Sequence, residues 1–261
     1  MGTKSRWRWV FAASLLLVCV SLSVSGDDND RVITLVADEW CPYNCVANST
    51  EEGFVIDIAR AVFEPKGYAI HYKSVPWTRA VLKTLSGEYD AAVGATKPEL
   101  PTAIFPQQSF GYSTNYFVVS VDSMWEFTGV ESLKNIRLGV IQDYDYGDDI
   151  AAYLAREAGS DNIVIMKGDG IFEQCLRLLV VGRIDACLED KNVAFYSVKK
   201  LGLLGKVMLA GKTDIDQALY IAFSPKNKHS ALYAKMFSEG LDALRESGQL
   251  KAILARYGLS D

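Results

Sequence analysis

Beyond residue 30 the chain's apolar positions switch between a two-residue and a three-to-four-residue rhythm. Residues 31–37 (RVITLVA) form a short β-branched run and read as a first strand. Residues 53–63 follow helical spacing, with Phe54, Ile58 and Val62 on one face and Pro65 and Gly67 closing the helix. Residues 69–75 read as a strand, Pro76-Trp77-Thr78 opens a helix that ends at Gly87, and residues 116–121 are a further strand. A second cycle repeats the order. Residues 136–141 are a strand, a turn at 143–147 leads into a helix carrying Ile150, Tyr153 and Leu154, and residues 162–166 are a strand. Asp169 is a candidate N-cap for the helix before Gly182, and another helix runs through Phe195 and Val198. Residues 207–210 are short and extended, and 218–223 a longer strand. The tail is helical, with stripes at Leu232, Met236, Leu241, Leu244 and, past Gly248, at Leu250, Ile253, Leu254 and Tyr257.

One short phrase occurs in both cycles. Gly87-Glu88-Tyr89-Asp90-Ala91 precedes the small apolar run Ala92-Val93-Gly94-Ala95, and Gly182-Arg183-Ile184-Asp185-Ala186 precedes Cys187-Leu188-Glu189-Asp190. A helix that stops at Gly and turns at once into a buried strand is half of an α/β crossover. Two such units imply two α/β lobes, and two lobes imply a cleft in which a small molecule binds. Asp90 and Asp185, inside the repeated phrase, read as turn and cap residues.

Residues 1–26 read as a secretory signal peptide rather than as part of the fold. Lys4, Arg6 and Arg8 precede a short apolar core, and small residues at 23–26 precede Asp27-Asp28. Cleavage is expected between Ser23 and Asp27, with a soluble product. Residues 1–26 contain those three positive charges and no acidic residue, so their removal shifts the net charge from -5 to -8. Such a balance argues against nucleic acid and against an anionic membrane surface. An exported chain left with Cys41, Cys45, Cys175 and Cys187 suggests disulfides. The Cys41–Cys45 pair closes a local loop, and Cys175–Cys187 stays open as a second pair. The only histidines, His71 and His229, sit in no ligand-spaced pair, so no metal or cofactor is expected.

Several segments, in order, resemble the family 3 bacterial extracellular solute-binding proteins, the amino-acid-type receptors of ABC importers. They are the Trp40–Asn44 loop, Gly53-Phe54-Val55-Ile56-Asp57, the two Gly-x-x-Asp-Ala phrases, Leu138-Gly139-Val140 and the tail from Leu241 to Gly258. The resemblance implies a bilobed periplasmic-binding-protein fold, two α/β lobes with a ligand cleft between them. It implies a signal peptide over 1–26, a first lobe over 27–114, a second over 115–215 and a return to the first over 216–261. The chain crosses near 112–116, returns near 213–218, and closes on ligand by hinge motion. The function implied is capture of a small polar or amine-bearing, amino-acid-like solute in the periplasm by a monomer, and its delivery to the membrane permease of an ABC importer. No catalytic residue is expected. The competing readings are a dehydratase-like secreted enzyme on the same scaffold and a ligand-sensing partner of a membrane receptor. No Gly-x-Ser-x-Gly, His-Glu-x-x-His or Gly-x-Gly-x-x-Gly motif occurs.

By the same resemblance Trp77 and Trp40 are the facing aromatics of the cleft, against the alternative of ordinary lobe packing. Asp190 matches the acid that pairs with a ligand ammonium, against the alternative of a helix N-cap. The family's carboxylate clamp is a Thr followed a few residues on by an Arg. Here Thr96-Lys97-Pro98-Glu99-Leu100-Pro101 has no Arg, and Leu100 or Pro101 falls about where it belongs. Lys97 is a partial substitute, a point charge rather than the usual fork, and Arg79 a second candidate cation against the alternative of a solvated or supporting position on its helix. The second-lobe loop reads Asp143-Tyr144-Asp145-Tyr146 where a Gly, Ser and Thr-rich turn is usual. Tyr43, Tyr144 and Tyr146 complete an aromatic cleft, with Asp38, Asp145 and Asp190 as its acids.

Overall fold

The structure is a computed structural model that describes residues 1–2, 31–168 and 170–260. The leader, its cleavage site and the Asp169 cap lie outside the described residues. Eight strands form one mixed sheet in the order β2-β1-β3-β8-β4-β7-β5-β6. On one side, β1 (Val32–Ala37) pairs in parallel with β2 (Ala69–Ser74) and β3 (Ala91–Ala95). On the other, β5 (Leu138–Ile141) pairs in parallel with β6 (Ile163–Met166) and β7 (Ala186–Asp190). Between them lie two long antiparallel strands, β4 (Gly111–Ser120) and β8 (Val207–Phe223), which belong to both halves. β3 pairs with the end of β8 and β7 with the end of β4.

Both halves are α/β because each parallel pair is joined through a helix. In the first, α1 (Phe54–Phe63) and α2 (Trp77–Ser86) link the strands, and α6 (Ser230–Glu246) and α7 (Gln249–Arg256) pack back on α1. In the second, α3 (Asp148–Arg156) and α4 (Ile171–Val180) do so, and α5 (Lys191–Lys200) leads from β7 to β8. Phe54, Ile58 and Val62 of α1 are buried as their spacing predicts. Tyr233, Phe237 and Leu241 of α6 meet them in the same apolar core. No helix among the described residues is long and apolar enough to cross a membrane.

The repeated phrase has one structural job in both halves. Gly87 and Gly182 take left-handed backbone at φ 88° and 68°, which ends the helix at no steric cost. Asp90 then accepts a hydrogen bond from the Thr34 backbone N–H at 2.7 Å, and Asp185 from the Arg137 backbone N–H at 2.8 Å. Each carboxylate thus ties its strand to the first strand of its own half.

Two boundaries differ from the sequence reading. The strand expected at 116–121 begins at Gly111, and the separate runs at 207–210 and 218–223 are one strand, β8, of 17 residues. The intervening stretches are polar and partly exposed, so they carry no apolar period. The β4–β8 ladder holds them extended.

Candidate functional site

The loop after β1 carries the first wall. Trp40 N–H donates to Asn44 O at 2.7 Å, and a Cys41–Cys45 disulfide closes the turn between them. The Trp40 ring stacks on Tyr43 with centroids 4.3 Å apart, and Tyr43 in turn packs on Phe54 at 5.0 Å. Tyr43 therefore backs Trp40 and is not a wall itself. Its hydroxyl accepts from Asn192 Nδ2 at 2.9 Å. Gly94, at φ 88°, lies under the Trp40 ring, and a Cβ there would stand 3.7 Å from it. A second disulfide, Cys175–Cys187, joins α4 to β7.

A narrow cleft, partly open to solvent, lies between the halves. Trp40 and Trp77 line it with Thr96 and Tyr144. Four carboxylates also line it: Asp38, Glu99, Asp145 and Glu189. Among the described residues no Lys, Arg or His does so. Nor does any group of three or more His, Cys, Asp or Glu stand close enough to hold a metal ion.

Besides Tyr43, the expected residues Asp190, Tyr146, Lys97 and Arg79 stand outside this lining. Asp190 is 1 % exposed and accepts from the backbone N–H groups of Asn192 and Val193 at 2.8 and 3.1 Å, capping α5. Its other oxygen accepts from Ser113 Oγ at 3.0 Å. Side chains alternate faces along a strand, so Glu189, its neighbour on β7, turns into the cleft instead. Tyr146 is buried behind the wall, where its hydroxyl accepts from the Ile141 N–H at 2.8 Å. Lys97 lies in the outer mouth with its ammonium 5.0 Å from the Tyr220 ring centroid. Leu100, at the position of the missing Arg, is fully buried in the apolar cluster around Ala80 and Ala92, and Arg79 is exposed outside the lining.

The sequence reading missed Glu99 and Glu189. An acid inside the apolar run Ala186-Cys187-Leu188-Glu189 is itself a signal, since a buried carboxylate needs a partner. Glu189 Oε1 accepts from Trp40 Nε1 at 2.9 Å and from the Asp190 N–H at 2.8 Å. Its Oε2 is buried and has no partner. Burial pushes the Glu189 carboxyl up to about 8, against the pull of those hydrogen bonds. Burial likewise lifts Asp38 to about 6, although its Oδ2 accepts from Tyr144 Oη at 2.6 Å. Glu99 and Asp190 are raised too, by burial first. A closed site with this many carboxylates favours protons or a cation.

The bonds that shape the cleft also cross it. Trp40–Glu189, Asp38–Tyr144 and Tyr43–Asn192 join the two halves, as does Thr78 Oγ1 donating to Asp143 at 2.6 Å. Lys200 on α5 lies 3.7 Å from Glu39 across the same gap, while paired to Glu173 at 2.7 Å.

Comparison with known proteins agrees with this architecture. A probable amino-acid-binding protein of Bacillus subtilis (strain 168), YxeM, is 22% identical over 97% of this chain and 94% of its own. A histidine kinase sensor domain with similarity to periplasmic binding proteins superposes with a TM-score of 0.73 and 22% identity, over 89% of this chain and all of that one. A Streptococcus pneumoniae ABC uptake transporter substrate-binding protein with bound histidine superposes at 0.71 and 21%, over 88% and 93%. These likenesses show the fold, two α/β lobes about a cleft. The model of the bacterial extracellular solute-binding proteins, family 3, matches residues 32–260, and the chain belongs to that family.

Proposed function

We propose that this solute-binding protein captures a small amine-bearing solute in the cleft, outside the cytoplasm, and hands it to the permease of an ABC importer without chemical change. The observation that carries the ligand class is the unpartnered, buried Glu189 Oε2 beside Asp38 and the Trp40 ring, in a cleft lined by four carboxylates and no cation. An ammonium there satisfies the orphan oxygen and neutralises the site. The relatives support an amino-acid-like size, since YxeM is named an amino-acid-binding protein and the Streptococcus protein holds histidine. Trp40, Trp77, Thr96 and Tyr144 are assigned to contact with solute, and Tyr43 and Tyr146 to its support. Lobes over 27–114 with 216–261, and over 115–215, are assigned on the β4 and β8 crossings.

Isothermal calorimetry on protein stripped of ligand by unfolding and refolding tests this against a panel of amines, amino acids, sugars and carboxylic acids. Amines are expected to bind, and Glu189→Gln to weaken them by roughly 2 kcal/mol or more, because a buried ion pair is lost. Tight binding of a neutral or anionic solute that ignores Glu189→Gln would refute the assignment.

A further inference from the structure

The first-lobe wall of the cleft spends its hydrogen-bond donors on the chain's own carboxylate. Trp77 Nε1 donates to Glu99 Oε1 at 3.1 Å, while the Thr96 backbone N–H and Thr96 Oγ1 both donate to Glu99 Oε2 at 2.8 Å. Three donors converging on two oxygens is the arrangement that recognises a free carboxylate, and here it is filled from within. Resting on the amine reading of this cleft, we propose that Glu99 is a specificity-determining residue: it occupies the place of a ligand carboxylate, so the site takes amines that lack one and rejects the matching α-amino acids.

The surroundings supply no second carboxylate site in that wall. Leu100 packs into the core, and the Lys97 ammonium sits over Tyr220 in the outer mouth. An entering carboxylate would face Glu99 and Asp145, and Asp38 and Glu189 as they ionise, with no lining cation to offset them. Like charges in a desolvated gap repel strongly, and discrimination of this kind is built by placing the repulsive group in the site. Glu99 is already held above the usual carboxylate range by burial, so the wall resists one negative charge before a second arrives.

Matched pairs isolate the carboxylate: agmatine against arginine, cadaverine against lysine, and histamine against histidine. Each pair shares its side chain and its amino group. Calorimetry should show at least one amine binding about tenfold or more tightly than its amino acid. In Glu99→Gln that ratio should fall by about tenfold, with thermal unfolding confirming a folded variant. An amino acid that binds wild-type protein as tightly as its amine overturns the proposal, as does a ratio that Glu99→Gln leaves unchanged. If Glu99→Gln does not fold, the wild-type ratios alone decide. Failure of all six probes to bind overturns the amine reading of the cleft as well, a result distinct from equal binding within the pairs.

Discussion

At the scale of single residues, the cleft is a proton store. Asp38 and Glu189 titrate near 6 and 8 in the folded chain, above the 3.8 and 4.5 of the free side chains. The folded chain therefore holds protons that the unfolded chain has released. This contribution to stability is complete below about pH 4 and is lost as pH rises through 6 and then 8, by at most about 1.4 kcal/mol per pH unit for each group. The groups facing Glu189 are Asp38, Trp40 and the two tyrosines 144 and 146, with Asp190 beside it and Glu39, Glu173, Tyr196 and Lys200 along the adjoining groove. Lys200 is held by Glu173 at 2.7 Å and Glu39 at 3.7 Å, so it leaves the sign unchanged. Ligand-free protein should show a thermal midpoint that falls from pH 5 to pH 9, and Glu189→Gln should flatten that fall. Affinity for a permanently charged amine should rise over the same interval, since the carboxylates then ionise without help. Differential scanning at several pH values, with and without ligand, reads both. The sequence showed that an acid pair ends this strand, but not which member faces the cleft. A shift of one residue reverses every face of a strand, and the register with β4 (Asn115 opposite Asp190, Tyr116 opposite Glu189) is a tertiary fact.

At the scale of elements, close approach matters more than composition. Gly240 sits on α6 where a Cβ would stand 2.5 Å from Val62 Cγ1 and 2.6 Å from Cγ2. The backbone of α6 is thus packed directly on α1, and Gly240→Ala should destabilise the protein by about 1–3 kcal/mol through overpacking, although alanine is the better helix former. Chemical denaturation would measure it, and a neutral or stabilising result would show that the two helices are free to separate. The helices and most strands were legible from their periods because each buries one face or both. The middle of β8 was not, since residues 211–217 have little apolar pattern and stay extended through pairing with β4. The repeated Gly-x-x-Asp-Ala phrase was legible as punctuation, whereas the distant N–H groups that its aspartates hold were not, because Thr34 and Arg137 lie 56 and 48 residues away.

At the scale of the whole molecule, the cross-cleft bonds describe a closed arrangement. Asp38–Tyr144, Trp40–Glu189, Tyr43–Asn192 and Thr78–Asp143 span it at 2.6 to 2.9 Å. Without ligand, closure buries carboxylates against one another, so at pH 8 the empty protein should open and a bound amine should draw it shut. Small-angle scattering should then give a smaller radius of gyration at ligand saturation. An unchanged radius would mean that the halves form a rigid scaffold.

The two central strands have a genealogical consequence. Thr114 on β4 stands opposite Asp216 on β8. The hundred or so residues between them leave and rejoin the rest of the chain at one rung of a ladder. A segment whose ends are neighbours can be gained, lost or exchanged as a block without disturbing its host. The cleft-facing surface of the second half, including Glu189 and the 143–147 turn, is carried in that block, whereas Glu99 and Trp77 remain with the host. Recombination at this rung can therefore reassort the two walls of the cleft independently, and a lineage can change what it captures without redesigning either half.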